Sequence, residues 1–215
     1  MSLNQITVYC GSNPGKDPSF IEAAKDSRAS EIQSIIRKNM ICSHSTHVMH
    51  ELGGLFLQRN IALIYGGSSS GLMGCIAQVI SNGGGKVTGV IPQFMCDKGL
   101  SGKGPGKLLF MESMHQRKQF MCDQADAFIA LPGGFGTMEE LVEMITWVQL
   151  GLHNKPIGIL NTNNYYKGFL EWVAKAEEEG LTYKKAETFF VVADTPEELL
   201  NKLDAVKKER SSEVN

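Results

Sequence analysis

Ten residues decide how this chain is interpreted: Leu131-Pro132-Gly133-Gly134-Phe135-Gly136-Thr137-Met138-Glu139-Glu140. They follow the apolar run Ala127–Leu131 and lead directly into a helical pattern that carries carboxylates. A strand, a glycine-rich turn and a helix N-terminus in this order are typical of an anion site, because backbone N–H groups there point at the ligand. The stretch therefore predicts a strand–turn–helix unit that binds an anion, with a reactive carboxylate one turn away.

The rest of the chain repeats this alternation of strand and helix. Short runs of β-branched residues predict strands, and the longer stretches between them carry helical spacing. Hydrophobic strands that alternate with helices favour an α/β fold, a parallel sheet covered on both faces. We expect strands at Ile6–Cys10, Ile61–Tyr65, Val87–Ile91, Leu108–Met111, Ala127–Leu131, Ile157–Leu160 and Phe189–Val192, and helices at about 18–38, 44–60, 72–82, 114–124, 137–151, 165–179 and 195–208.

The composition narrows the classes of function. The 215 residues suit one α/β domain, with a tail from about residue 209 that we expect to fray. The net charge of −2 gives no basis for binding nucleic acid or a membrane surface, and no apolar run reaches the roughly 18 residues of a membrane span. The five cysteines form no CxxC pair, which favours free thiols and a cytoplasmic location, with the nucleus as an alternative.

Three predicted strands end in glycine-rich segments: Gly11–Gly15, Gly66–Gly74 and Pro132–Thr137. Any one of them is as readily a tight turn as a binding loop. The carboxyl ends of parallel strands share one edge of the sheet, where ligands bind, so three such loops together favour a binding site. Glycines let the backbone approach a ligand closely, and the hydroxyls of Ser70 and Thr137 add donors.

Two common nucleotide-binding motifs are not matched by this sequence. The loops fit the dinucleotide pattern GxGxxG poorly, and no GxxxxGK[ST] phosphate loop occurs. A mononucleotide phosphate is therefore favoured over a dinucleotide.

The helix after the fifth strand carries Glu139, Glu140 and Glu143. Early acids on a helix often only complement its dipole. Because successive residues turn by about 100°, Glu139 and Glu140 face different directions, whereas Glu140 and Glu143 share one side, with Trp147 a turn further on. Glu140 is the candidate for ribose contact or water activation.

A second cluster, Met114-His115-Gln116-Arg117-Lys118, opens the preceding helix. Arg117 and Lys118 are suited to neutralise a phosphate or polarise a leaving group. Taken alone, this dipeptide favours a basic pair on the surface.

Cys42, His44, His47 and His50 form a third cluster, and the histidines share one helix face. Apart from Glu51, no further ligand is placed to complete a metal site. A polar helix face is the favoured interpretation, and we predict no metal.

Together these motifs resemble the Lonely Guy family of cytokinin-activating enzymes. The resemblance rests on PGGxGTxxE at Pro132–Glu140 and on Met114-His115-Gln116-Arg117-Lys118, and it extends to Gly66–Gly74, Cys10-Gly11-Ser12 and Ile145–Pro156. It covers nearly the whole chain. Members are also labelled lysine decarboxylase-like, but nothing in this sequence marks a pyridoxal-phosphate site.

The resemblance implies a Rossmann-like three-layer fold, a homodimer without metal or cofactor, and hydrolysis of the N-glycosidic bond of cytokinin riboside 5′-monophosphates. AMP is a plausible secondary substrate. Arg117 and Glu140 would be the catalytic pair. The family pattern places Lys118, Gly134, Gly136, Thr137, Glu139 and Thr146 around the nucleotide, and the glycine-rich loops add Ser12, Gly67, Ser70, Gly71, Gly133, Phe135 and Met138.

The chemistry agrees with this expectation. Glycosidic cleavage passes through an oxocarbenium-like state that a carboxylate stabilises, and a bound 5′-phosphate helps to align the ribose. The alternative is a non-catalytic carrier of a nucleotide or of the molybdenum cofactor on the same fold. Arg117 together with Glu140 favours the enzyme, because a carrier has no need of that pair.

Two segments depart from the family pattern. Residues 26–50 lengthen the first helical region. The loop 97–107 is rich in lysine and glycine, with Asp97 as its one acid, where the family tends to carry glutamates. We expect this loop to influence substrate preference and to act as a lid.

Overall fold

The computed structural model describes residues 2–13, 44–98 and 103–212. Within these residues one sheet contains seven strands, all parallel, and this confirms the predicted α/β class. The predicted helix at 18–38 and residues 26–43 of the lengthened region lie outside the described residues. The strands are β1 (Gln5–Tyr9), β2 (Ala62–Tyr65), β3 (Val87–Pro92), β4 (Lys107–Met111), β5 (Ala127–Ala130), β6 (Ile157–Leu160) and β7 (Val191–Ala193).

Helices occupy the connections between the strands. Those described are α1 (His44–Gln58), α2 (Gly71–Asn82), α3 (Gln93–Asp97), α4 (Met114–Gln124), α5 (Phe135–Gln149), α6 (Lys167–Glu178) and α7 (Pro196–Ser212). Helix α3 has five residues, too few to show a helical period, so the sequence pattern does not predict it. Helix α7 extends to Ser212, and Arg210 donates hydrogen bonds to backbone carbonyls outside that helix. None of the described helices is both long and apolar enough to cross a membrane.

Alternation along β1 divides the core between the two faces of the sheet. Ile6 and Val8 belong to one buried cluster, whereas Tyr9 belongs to the other. Thr7 faces the second side as well, since its hydroxyl donates a hydrogen bond to the Met121 carbonyl of α4. The first cluster is completed by α1, α2 and α7, and the second by α4 and α5. Helices on both faces confirm the predicted three layers.

The order of the strands places a crevice beside β1. The order is β4-β3-β2-β1-β5-β6-β7, so the chain moves outward from β1 to β4 and then returns to β5 on the other side of β1. At such a reversal the carboxyl ends of adjacent strands open a crevice that holds ligands. The segments after β1 and β5, at Gly11 and Pro132, border this crevice.

Helix α4 has a well-defined start. The side chain of Ser113, the N-cap residue, accepts a hydrogen bond from the Gln116 N–H, and the Gln116 side chain accepts one from the Glu112 N–H. Such reciprocal bonds satisfy free donors at a helix N-terminus. The cap fixes the direction of the first turn, and so the placement of Arg117 and Lys118.

Candidate active site

The three glycine-rich loops meet at the carboxyl edge of the sheet, as predicted. The Gly11 N–H donates to the Pro132 carbonyl at 3.0 Å, and the Met73 N–H donates to the Gly11 carbonyl at 3.2 Å. Gly71 has a φ of +64°, and a Cβ there would lie 2.7 Å from the carbonyl oxygens of Gly11 and Asn13. Only glycine tolerates this conformation and this approach, so Gly71 is required for the loops to pack together.

Gly67 and its neighbours complete the second loop. Gly67 has a φ of +75°, and a Cβ there would lie 2.2 Å from Ile91 Cγ1. Ser70 is the N-cap residue of α2, but its exposed side chain caps no N–H. Ser12 is exposed as well. Among the described residues the hydroxyls of Ser12 and Ser70 have no hydrogen-bond partner, so both are suited to contact a ligand.

Arg117 and Glu140 form a buried ion pair in the crevice. Arg117 Nη1 lies 2.8 Å from Glu140 Oε1, and the two residues are only 7% and 5% exposed. Arg117 Nε also donates to the Val90 carbonyl of β3 at 3.0 Å. A Cβ at Gly66 would lie 2.6 Å from Arg117 Nη2, so the glycine makes room for the guanidinium.

The environment of Glu140 perturbs its acidity. Burial raises the pKa of Glu140, while the positive charge of Arg117 opposes that rise. A carboxylate held near one cation and away from water suits proton transfer or stabilisation of positive charge. The predicted catalytic pair is thus in direct contact, in the kind of environment that such chemistry requires.

Lys118 lies in a second ionic cluster beside the first. Its ammonium group contacts Glu139, and it lies 2.9 Å from Glu143 Oε1. Burial disfavours the charged lysine, but the hydrogen bonds with the two carboxylates outweigh it and raise the pKa of Lys118. Lys118 is 6% exposed and Arg117 is equally buried, so the interpretation of this dipeptide as a surface pair is wrong.

The expected division of the acids on α5 also needs correction. The helical period predicts Glu143 on the side of Glu140, but in the structure Glu143 and Glu139 both contact Lys118. Glu139 and Glu143 are four residues apart and lie closer to one line along the helix than residues three apart do. They can therefore share one cation. Glu140 alone faces Arg117.

The turn Pro132–Thr137 opens toward solvent on its N–H side. A Cβ at Gly133 would lie 2.1 Å from Thr137 Oγ1, so glycine is required above the buried threonine. Cβ atoms at Gly134 and Gly136 would meet nothing within 4 Å, and Phe135 is 97% exposed. Within the described ranges, no acceptor takes the N–H groups of residues 133–137. This arrangement is suited to an anion.

Two further predicted residues lie on α5. Met138 is partly buried, and its N–H donates to the Gly134 carbonyl in the first turn. Thr146 is exposed, and its hydroxyl donates to the Val142 carbonyl within the helix. A rise of about 1.5 Å per residue places Thr146 roughly 9 Å along the axis from Glu140. The structure does not bring Thr146 into the ion-pair cluster.

The loop 97–107 is described only at its ends. The Tyr65 hydroxyl donates to the Pro105 carbonyl at 2.7 Å, and a Cβ at Gly104 would lie 2.6 Å from the Gly67 carbonyl oxygen. The returning end of this loop therefore packs on the second glycine-rich loop. Its action as a lid stays a prediction.

Sequence reasoning missed three tyrosines around the site. Tyr9 is fully buried on β1, and its pKa is raised well above the ordinary value by burial and by the charge of Glu140. Tyr165 and Tyr166 donate to carbonyls of the turn after β5. A search of every strand end for polar aromatic residues would have found the last two, since they follow β6 closely.

The histidine cluster lies partly outside the described residues. Cys42 is not described, and neither is the side chain of His44, while His47 is exposed on α1. In the described part of the chain, no group of three or more histidine, cysteine or acidic residues is placed to hold a metal ion.

Known proteins resemble this chain over most of its length. A family model described as "Possible lysine decarboxylase" matches residues 73–203. "Probable cytokinin riboside 5′-monophosphate phosphoribohydrolase LOGL6" of Oryza sativa subsp. japonica is 43% identical over 203 residues, which cover 94% of this chain and 71% of that protein. "Cytokinin riboside 5′-monophosphate phosphoribohydrolase LOG3" of Arabidopsis thaliana is 42% identical over 202 residues, which cover 94% of this chain and 82% of that protein.

Solved structures share the fold. A molybdenum cofactor binding protein from Rippkaea orientalis superposes with a TM-score of 0.61 at 16% identity, covering 96% of this chain and 98% of that one. The Moco carrier protein from Chlamydomonas reinhardtii gives 0.60 at 14% identity, with the same coverage. At these identities the likeness concerns the fold alone. The matched family model and the two relatives that are 42–43% identical decide membership: this chain belongs to the Lonely Guy family of cytokinin riboside 5′-monophosphate phosphoribohydrolases.

Proposed function

We propose that this protein hydrolyses the N-glycosidic bond of cytokinin riboside 5′-monophosphates, with AMP as a secondary substrate. The products are the free base and ribose 5-phosphate. One observation carries the proposal: the buried Arg117–Glu140 ion pair lies in the crevice where three glycine-rich loops meet. The names of relatives that are 42–43% identical support this substrate class.

In the proposed reaction, water adds to C1′ of the ribose as the bond between C1′ and the base nitrogen breaks. The bonding electrons leave with the base, which takes up a proton, and the hydroxyl of water remains on C1′. The Glu140 carboxylate stabilises the positive charge that develops on the ribose and accepts the proton that water loses. Arg117 keeps Glu140 ionised and oriented.

The turn at 133–137 is proposed to bind the 5′-phosphate. Its N–H groups lie at the N-terminus of α5, where the helix dipole also favours an anion. This phosphate is remote from the bond that breaks, so its binding energy serves to align the ribose. The proposal therefore requires that a monophosphate is cleaved more efficiently than its nucleoside.

The remaining site residues are proposed to surround the nucleotide. Lys118 and Glu139 lie next to the catalytic pair, while Thr146 lies further along α5. The loops contribute Ser12, Gly67, Ser70 and Gly71, and the turn contributes Gly133, Gly134, Phe135, Gly136, Thr137 and Met138. No resident metal or cofactor has a part in this proposal.

We also propose a homodimer in the cytoplasm, with the nucleus as an alternative location. Phe135, Leu150 and Leu152 are exposed apolar side chains at the two ends of α5, and burial against a second copy would remove them from water. Sedimentation equilibrium tests the assembly: a monomer at micromolar concentration contradicts it.

The decisive experiment incubates the protein with isopentenyladenosine 5′-monophosphate, its nucleoside and AMP, and measures the released base by chromatography. We expect release from the monophosphate and a loss of at least about 100-fold in Glu140→Gln, which keeps the size of the side chain but removes its charge. Glu171→Gln is the matched control, because Glu171 is exposed on α6. Nucleotide binding without release of base would instead support the carrier function.

A further inference from the structure

Two neighbouring tyrosines connect the segment after β6 to the turn that follows β5. The Tyr165 hydroxyl donates to the Gly133 carbonyl at 2.5 Å, and the Tyr166 hydroxyl donates to the Leu131 carbonyl at 2.6 Å. Tyr166 is buried, whereas Tyr165 is 52% exposed at the edge of the crevice. Both phenols therefore hold carbonyls on either side of Pro132.

With these bonds, every carbonyl from residue 131 to residue 134 has a donor within the protein. The pairs are Leu131 with Tyr166, Pro132 with the Gly11 N–H, Gly133 with Tyr165, and Gly134 with the Met138 N–H. The N–H groups of Gly133 and Gly134 have no acceptor among the described residues. An anion that approaches the two free N–H groups meets donors without an acceptor, while the carbonyl oxygens of residues 131–134 are already hydrogen-bonded within the protein.

Tyr165 controls the peptide unit that is freest to rotate. The Gly133 carbonyl and the Gly134 N–H belong to one planar peptide and point in opposite directions. Both flanking residues are glycines, which have the widest choice of backbone conformation, so this peptide flips most readily. A donor held on the Gly133 carbonyl keeps the Gly134 N–H directed to the opposite side.

The segment just before Tyr165 forms a tight turn with an unusual backbone. Asn163 and Asn164 have φ values of 55° and 57°, which are unusual for residues other than glycine. The Asn161 side chain holds the turn by accepting a hydrogen bond from the Tyr166 N–H at 2.8 Å. Asparagine tolerates the left-handed region better than most residues, so this sequence suits the tight turn that precedes Tyr165.

We infer that Tyr165 is a positioning residue for the phosphate: its hydroxyl locks the Gly133–Gly134 peptide so that the Gly134 N–H faces the substrate. This inference rests on the proposed function. Tyr165 acts through the backbone and does not touch the reacting bond. Removal of its hydroxyl should therefore weaken phosphate binding far more than it slows cleavage of a nucleoside.

The test uses Tyr165→Phe, with Tyr183→Phe as the matched control because Tyr183 is an exposed tyrosine distant in sequence from the turn. From the worth of one hydrogen bond, we expect KM for the monophosphate to rise about threefold to tenfold, with a smaller change in kcat. Cleavage of the nucleoside should stay unchanged, so the preference for the monophosphate falls by the same factor. The melting temperature should match that of the control.

A binding measurement separates this inference from the proposed function. Calorimetric titration with ribose 5-phosphate compares the parent protein with Tyr165→Phe and Tyr183→Phe. A Kd that rises about threefold to tenfold in Tyr165→Phe alone supports the inference even if no base is ever released. Equal affinity in the parent and Tyr165→Phe, or no binding by the parent, overturns it. A protein that binds ribose 5-phosphate but cleaves no nucleotide overturns only the proposed function.

Discussion

Arg117 and Lys118 are adjacent on α4, yet they enter two very different ionic clusters. Arg117 meets one acid, Glu140, whose side chain is almost fully buried. Lys118 meets two acids, and the Glu139 side chain is 51% exposed while that of Glu143 is 23% exposed. Water screens the second cluster and stabilises its acids when the cation is removed, whereas Glu140 has no such compensation. The burial of the acids, more than the number of charges, distinguishes the two clusters. The buried Arg117–Glu140 pair is suited to chemistry, and the more exposed Lys118 cluster is suited to binding.

The largest expected difference concerns stability and rate in Arg117→Met and Lys118→Met. Removal of Arg117 leaves Glu140 as an unpaired buried acid and should lower the free energy of unfolding by about 3 kcal/mol. Removal of Lys118 should cost about 1 kcal/mol, because its acids reach solvent. Urea unfolding measures both, and Arg117→Met should also lower kcat/KM by at least about 100-fold. Equal losses of stability would contradict the distinction between the clusters.

The loss of Lys118 should affect substrate binding more than it affects the rate of the chemical step. Lys118→Met should raise KM for the monophosphate by about tenfold and lower kcat much less, since a charged donor to the nucleotide is lost. Steady-state kinetics across a range of substrate concentrations separate the two constants. A fall in kcat of about 100-fold in Lys118→Met would place Lys118 in the catalytic machinery.

The pH dependence of activity should also differ between the two variants. Glu140 must be ionised to act, so kcat/KM is lost as the pH falls through its pKa, which burial raises above the ordinary value of 4.5. Arg117 opposes that rise more than Lys118 does. The acidic limb of the profile should therefore move to higher pH in both variants, and further in Arg117→Met. An acidic limb that stays in place in Arg117→Met would contradict the role of Glu140.

The smallest effect is expected at the exposed acid of the second cluster. Glu139→Gln should change the free energy of unfolding by less than about 0.5 kcal/mol, because exposed ion pairs contribute little and Glu143 still holds Lys118. Glu143→Gln should cost more, since its side chain is less exposed. Chemical denaturation ranks the two variants, and a reversed order would show that exposure does not control this cluster.

The strands and the meeting of the three loops follow from local pattern. Hydrophobic runs separated by helical stretches give a parallel sheet, and such a sheet brings its carboxyl ends to one edge whatever the order of the strands. Gly71 and Gly133 could also be singled out, because short turns and close approaches require glycine. The strands were predictable because their hydrophobic pattern is local, and the shared edge of the loops follows once the strands are parallel.

The pairing of charges was not predictable in the same way. Which cation of α4 meets which acid of α5 depends on the packing of two helices that are separated by β5, and the helical period does not specify it. Tyr165 and Gly133 are 32 residues apart and meet only after folding. The burial of Lys118 was missed for the same reason, since a basic dipeptide at the start of a helix has no local signal of a covering layer.

The guanidinium of Arg117 also has a mechanical consequence. Arg117 is a residue of α4, and its guanidinium donates to the Val90 carbonyl of β3 and contacts Glu140 of α5. One side chain therefore links elements on both sides of the crevice. Any fluctuation that widens the crevice has to break that tie first. Hydrogen–deuterium exchange of the β3 amides and of the first turns of α5 should consequently slow in concert when a nucleotide fills the space between them.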